Sequence, residues 1–295
     1  MKDKKYKIEL SVRRLEVVTK RLITTRFIGN YQSVFKGRGL EFEDYREYTH
    51  QDDAGLIDWK ASLRSNKLLI KEFVEERELN VFFLVDVSSS MVFTSTGQLK
   101  NVYAINLIAS LTYAILHAGD KVGCALFNDK ITKTIIPKSG EQQFYLITSP
   151  LIDPKTYGGN YNLSAALNSL LESIPRHSLV FVISDFIGLK EDWEKSLKLA
   201  APQFDIIGLM IRDPRDEKLP EEPYQVVISD PYSGRKMVVD LKKMYKKYLE
   251  YVTQEEKKIR KVFQEANADF LKIVTNESFI PKLINLFNMR MRKWR

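Results

Sequence analysis

The 295 residues carry 44% hydrophobic and 28% charged side chains, the balance of a folded globular chain and not of a disordered or fibrous one. Cys124 is the sole cysteine, which excludes an intramolecular disulfide, and its apolar run Val-Gly-Cys-Ala-Leu-Phe suits a buried, inert thiol in a reducing compartment. Lys and Arg (46) outnumber Asp and Glu (38), giving a net charge of +8 that favours acidic partners without naming one.

The N-terminus, MKDKKYKIELSVRRLE, has no apolar stretch before its charges resume, so no secretory signal is expected and the chain is assigned to the cytoplasm. Ile8, Val12, Leu15, Val18 and Leu22 recur at intervals of three and four, predicting a helix over 7–28. Lys36-Gly-Arg-Gly39 lacks the glycine spacing of a dinucleotide loop. The following acid- and aromatic-rich stretch has no clear period until LLIKEFV, which reads as a strand. Within it Asp52, Asp53 and Asp58 form either a second acidic site or a turn paired with Arg46 or Arg64, and Trp59 reads as a packing anchor.

From Asn80 the pattern changes. VFFLVD (81–86) is a continuous apolar run ending in a carboxylate, and a long helix is expected over about 99–118. That helix is the longest candidate membrane span, but Asn106, Ser110, Thr112 and His117 interrupt it, which suits burial against a sheet. VGCALF and ITKTII flank the hairpin turn Asn128-Asp129. Then come helices near 141–150 and 163–173, the strand LVFVISD (179–185), a short helix near 191–200 and the strand DIIGLMI (205–211). A second hairpin, QVVISDPYSGRKMVVD, precedes a long basic helix (241–266), the strand DFLKIV (269–274) and a closing helix (278–292). Apolar strands without polar alternation, interleaved with helices, predict a doubly wound α/β fold with a mainly parallel sheet. The domain reading is an N-terminal helical segment (1–29), a β-rich extension (30–79) and an α/β domain (80–295) with a hairpin insertion at 225–240.

In such folds ligands bind beyond the carboxyl ends of the strands, and two strands end there in aspartate, Asp86 and Asp185. Asp86-Val-Ser88-Ser-Ser90 gathers a carboxylate and two hydroxyls on one side of a tight turn. Hard oxygens carrying little charge suit Mg²⁺ or Mn²⁺ and leave a position facing outward for a carboxylate from another molecule. Each piece has a plainer reading: the serines could cap the next helix, and Asp185 likewise.

The Asp-x-Ser-x-Ser turn, the Gly-containing loop Thr156-Tyr-Gly-Gly-Asn160-Tyr-Asn162 and Ser184-Asp185 together resemble the metal-ion-dependent adhesion site of von Willebrand factor A domains. Gly37-Arg-Gly39, Tyr45-Arg46-x-Tyr48, Asp52-Asp53, Ile57-Asp58-Trp59 and Lys71-Glu72-Phe73 narrow the resemblance to the bacterial family called domain of unknown function 58. The resemblance implies a von Willebrand factor A-like, Rossmann-type fold and a non-enzymatic adaptor, acting with a MoxR-type AAA+ ATPase or a client protein that presents a carboxylate. It also implies metal ligation by Asp86, Ser88, Ser90 and Asp185. The expected threonine is absent after the glycines; Asn160 could supply a carbonyl there, and Asn162 could cap the following helix.

Two other function classes compete. A metal-dependent nuclease or phosphatase would use Asp86, or Asp58-Trp-Lys60. However, Ser88 stands where haloacid-dehalogenase-like phosphatases place a second aspartate, and no P-loop, Gly-x-Ser-x-Gly elbow or zinc spacing is present. A nucleic-acid or membrane-surface binder would use the basic C-terminal helices, with Lys242, Lys243, Lys246, Lys247, Lys257, Lys258, Arg260 and Lys261, then Arg290, Arg292, Lys293 and Arg295.

Overall fold

Valine, isoleucine and phenylalanine runs that are apolar on both faces need a helical layer on each side. The computed structural model, which describes residues 11–20, 23, 25–35, 41–49, 52–74, 79–220 and 224–293, supplies both layers. Strands β3 (Asn80–Asp86), β4 (Lys121–Phe127), β5 (Ile131–Lys138), β6 (Leu179–Ser184), β7 (Asp205–Arg212) and β10 (Asp269–Val274) form one sheet in the order β10-β7-β6-β3-β4-β5. Every pairing is parallel except β4 with β5, the expected hairpin. The expected doubly wound α/β architecture is what the chain adopts.

Alternation within each strand divides the core. Val81, Phe83 and Val85 of β3, with Phe181 of β6 and Leu209 of β7, pack on one side against helices α4 (Lys100–His117), α5 (Gln142–Ile152) and α10 (Phe279–Lys293). Phe82 and Leu84, with Val182 and Met210, pack on the other against α6 (Leu163–Ser173), α7 (Trp193–Ala200) and α9 (Leu241–Glu265). Fully burying one such side chain contributes about 1.5–3 kcal/mol. These two clusters therefore fix the register that brings the ends of β3 and β6 together. Among the described residues no helix is long and apolar enough to cross a membrane.

Four expectations change. The helix expected over 7–28 is described as two, residues 11–20 (α1) and Thr25–Phe35 (α2), with Ile23 outside both; its first residues, 7–10, lie outside the described set. Residues 21, 22 and 24 lie outside the described set, and Val12, Leu15, Phe27 and Tyr31 from the two helices all reach one core. The Tyr31 hydroxyl pins α2 to the base of the sheet by donating to Asp120 Oδ2 at 2.9 Å.

The second change is in the extension. The stretch without a readable period contains β1 (Glu41–Glu47), antiparallel to β2 (Leu69–Val74), and a register shift between Phe42 and Asp44 is what breaks its alternation. A short helix, α3 (Trp59–Ser65), lies between them. The glycines around Gly37 lie outside the described residues.

Thirdly, of the two readings of Asp52, Asp53 and Asp58, the turn paired with Arg46 is what forms, and not a second acidic site. Asp52 takes two bonds from Arg46, at 2.7 and 2.5 Å. Asp53 caps the turn at Gly55, and Asp58 Oδ1 caps α3 while its Oδ2 accepts from Tyr45. Trp59, the first residue of α3, is 62% exposed and is no packing anchor.

Finally, part of the basic C-terminal set is committed internally. Arg290 is buried and bridges Asp205 and Asp269. Lys258, Arg260 and Lys261 pair with Glu194, Glu256 and Glu265, whereas Lys242, Lys246 and Lys247 are exposed. Arg295 lies outside the described residues.

Candidate metal centre at the strand ends

Parallel pairing sets Val85 of β3 opposite Ile183 of β6, so Asp86 and Ser184 end adjacent strands side by side. Asp86 Oδ2 accepts from Ser184 Oγ at 2.7 Å, and Oδ1 accepts from the Ser88 N–H at 2.8 Å. This second bond bends the chain sharply after the strand and brings the Ser88 and Ser90 hydroxyls within 3.2 Å of each other. The Gly-containing loop closes over the turn: Gly158 N–H donates to the Val87 carbonyl at 2.8 Å, and Ser89 N–H to the Gly159 carbonyl at 3.1 Å. Gly159 has φ +83°, and a Cβ there would lie 2.9 Å from Asn128 Nδ2, so the position requires glycine.

Of the five sequence-predicted ligands, Asp86, Ser88, Ser90 and Asp185 come together, the two aspartates being close enough for the charge of Asp185 to act on Asp86. Asn160 follows Gly159 in the same loop but is exposed. Asn162 caps α6 by accepting from Ala165 N–H at 3.2 Å, as the alternative reading of that residue has it.

Lys100, which the sequence reading passed over, completes the charge distribution. At the first turn of α4 it is 1% exposed, and its Nζ lies 2.7 Å from Asp185 Oδ2 and 2.8 Å from Asp216 Oδ2. Asp216 lies on the short helix α8 (Pro214–Glu217), which no periodicity announced. Burial pulls the Lys100 ammonium down, but Asp185 and then Asp216 outweigh it and the pKa is raised, so it stays charged. The legible signal was a lysine at a helix N-terminus, where the macrodipole disfavours a cation unless carboxylates offset it.

Asp86 is fully buried; burial first and Asp185 second push its carboxyl up, against hydrogen bonds from Ser184 and Ser88. Asp185 and Asp216 thus share one ammonium while Asp86 has hydroxyl and N–H partners but no ion pair among the described residues, and uncompensated buried charge is costly. This excess, with two hydroxyls beside Asp86, fits a hard divalent cation. Among the described residues no three His, Cys, Asp or Glu side chains are grouped to hold a metal, so such a site depends on the serines. The expected outward-facing position at an open rim needs correction. Asp86, Ser88, Ser184 and Asp185 have no exposed surface, because the Gly-containing loop and three tyrosines cover them. Tyr161 lies 3.2 Å from Ser184 Oγ, Tyr157 feels the charge of Asp86, and Tyr232 arrives from the strand pair β8 (Gln225–Ser229) and β9 (Lys236–Asp240).

A mainly parallel six-stranded sheet with helices on both faces makes this a doubly wound α/β protein. The model for "Protein of unknown function DUF58" matches residues 44–261, and the chain belongs to that family. A protein of Mycobacterium bovis is 26% identical over 230 residues, which is 77% of this chain and 72% of its own. YeaD of Bacillus subtilis is 32% identical over 100 residues, 34% of this chain and 23% of its own. Among solved structures, BatB from Bacteroides thetaiotaomicron covers 73% of this chain and 99% of its own at 20% identity and TM-score 0.49. A von Willebrand factor type A protein from Catenulispora acidiphila covers 76% and 44% at 11% identity and TM-score 0.40.

Proposed function

We propose that this chain is a non-catalytic protein-interaction module that holds Mg²⁺ or Mn²⁺ between Asp86, Ser88, Ser90 and Asp185. The observation supporting it most is the buried charge at the strand ends, where Lys100 pairs with Asp185 and Asp216 while Asp86, fully buried, lies within reach of the charge of Asp185. When bound, the cation would supply the missing positive charge and attract a carboxylate of a partner. The chain's own residues do the orienting. Ser184 and the Ser88 N–H fix both oxygens of Asp86, and Lys100 fixes one oxygen of Asp185 while the Ile187 N–H, at 2.9 Å, fixes the other.

The partner we assign is a MoxR-type AAA+ ATPase or its client in the cytoplasm, on the strength of the family's sequence pattern. The non-catalytic reading is supported by the state of two candidate nucleophiles: Ser184, beside the site, donates to Asp86, and Cys124, in the core of β4, is buried with its thiol pushed up to about 12 by burial. Pull-down of a MoxR-type AAA+ ATPase tests the reading. Capture should be lost with EDTA and with Asp86→Ala, and should persist at moderate salt. Salt-sensitive capture that ignores chelator would favour the basic surface instead.

A further inference from the structure

The 225–240 hairpin reaches the metal centre through one side chain. Its turn is internally braced: Asp230 Oδ1 accepts from the Tyr232 and Ser233 N–H groups, both at 2.8 Å, and Gly234 N–H donates back to the Asp230 carbonyl at 2.9 Å with φ +68°. This brace presents Tyr232 to the loop after β6. The Tyr232 hydroxyl donates to the Ile187 carbonyl at 2.7 Å, two residues past Asp185. Its ring lies on Gly188, which has φ +84°; a Cβ at Gly188 would come within 3.0 Å of Tyr232 Cε2. The phenol is part-buried beside the cluster: burial and then Asp185 push it up, and the Ser90 and Ser88 hydroxyls pull the other way.

The hairpin is held at its two ends and little between. Val239 and Leu241 anchor its base in buried positions, whereas Val227, Met237 and Val238 are exposed. An isolated two-stranded ribbon is marginal in water, and segments with few buried contacts open at low free-energy cost. Tyr232 is therefore the tip contact of a weakly held lever, seated beside strand-end side chains that are themselves buried.

We propose that the hairpin is a tethered gate: Tyr232 covers the buried Asp86–Asp185 site, and a partner's carboxylate reaches it only after the hairpin lifts. The gate rests on the metal-centre reading for its purpose, but its opening can be measured without any metal.

The test places a thiol inside the pocket with Ser90→Cys in the full chain and follows its alkylation by iodoacetamide. Cys124, buried and held neutral, gives the background rate in the chain that keeps Ser90. Tyr232→Ala should accelerate labelling of Cys at 90 about tenfold, the scale of one lost hydrogen bond with its packing. Tyr232→Phe, which keeps the ring and loses the hydroxyl, should fall between and guards against a misfolded alanine variant. Equal rates in all three backgrounds overturn the gate. A parallel Mn²⁺ titration, in chains keeping Ser90, separates the two ideas. Accelerated labelling without Mn²⁺ binding in either the parent or Tyr232→Ala retains the gate and sinks the metal centre. Mn²⁺ binding with unchanged labelling does the reverse.

Discussion

Lys100 and Asp185 meet 2.7 Å apart in the interior, 85 residues apart in the chain, and their contact joins the first turn of α4 to the end of β6. Removing the ammonium leaves Asp185 and Asp216 without their cation. Lys100→Met should cost about 3–5 kcal/mol, the penalty for breaking a buried pair from one side. Urea unfolding in EDTA measures it, and a loss below about 1 kcal/mol would show that the pair is structurally dispensable.

Asp86 should behave in the opposite way. Its carboxylate is buried beside Asp185 at a stability cost in the absence of a compensating cation. Asp86→Asn keeps one oxygen, for Ser184 or for the Ser88 N–H, and removes the charge, so relief of the buried charge is set against one lost hydrogen bond. In chelator its stability should match or exceed that of the parent by about 1 kcal/mol, the usual relation between a binding site and the stability it gives up. A large loss in chelator would make Asp86 a structural residue.

The sheet was legible because its strands are buried on both faces, so VFFLVD, LVFVIS and DIIGLMI read directly as β3, β6 and β7. The candidate cluster was legible for a local reason, since Asp86, Ser88 and Ser90 lie within one turn. Burial was not. The cover comes from Tyr161 and Tyr232, and the counter-charge from Lys100 and Asp216, residues distant in sequence whose approach depends on tertiary packing. Trp59 misled because an aromatic residue among charges reads as an anchor, whereas α3 buries only Ser62.

Cys124 lies in β4, its thiol held neutral by burial and pushed up to about 12. It should resist a disulfide reagent at pH 8 in the native chain and react fully in urea. In the unfolded chain the thiol ionises from about pH 8.5. The native state keeps its proton longer, so this group's contribution to stability falls as pH rises from there towards 12. Rapid native labelling would place the thiol at the surface.

Gly188→Ala forces a Cβ towards the Tyr232 ring from a backbone with positive φ. The strain is of order 1–3 kcal/mol and falls on the hairpin contact. Hydrogen exchange over residues 225–240 should accelerate in the variant, while amides of β3 and β6 keep their protection. Unchanged exchange in the hairpin would mean that Tyr232 does not hold it down.

The most direct measurement of the central claim is an Mn²⁺ titration by calorimetry of the parent chain and Asp86→Asn, run with Tyr232→Ala to remove the cover. A saturable single-site isotherm in the parent and in Tyr232→Ala, absent in Asp86→Asn, is the predicted result. Equal binding in all three, or none even with Tyr232 removed, would contradict a cation held between the ends of β3 and β6.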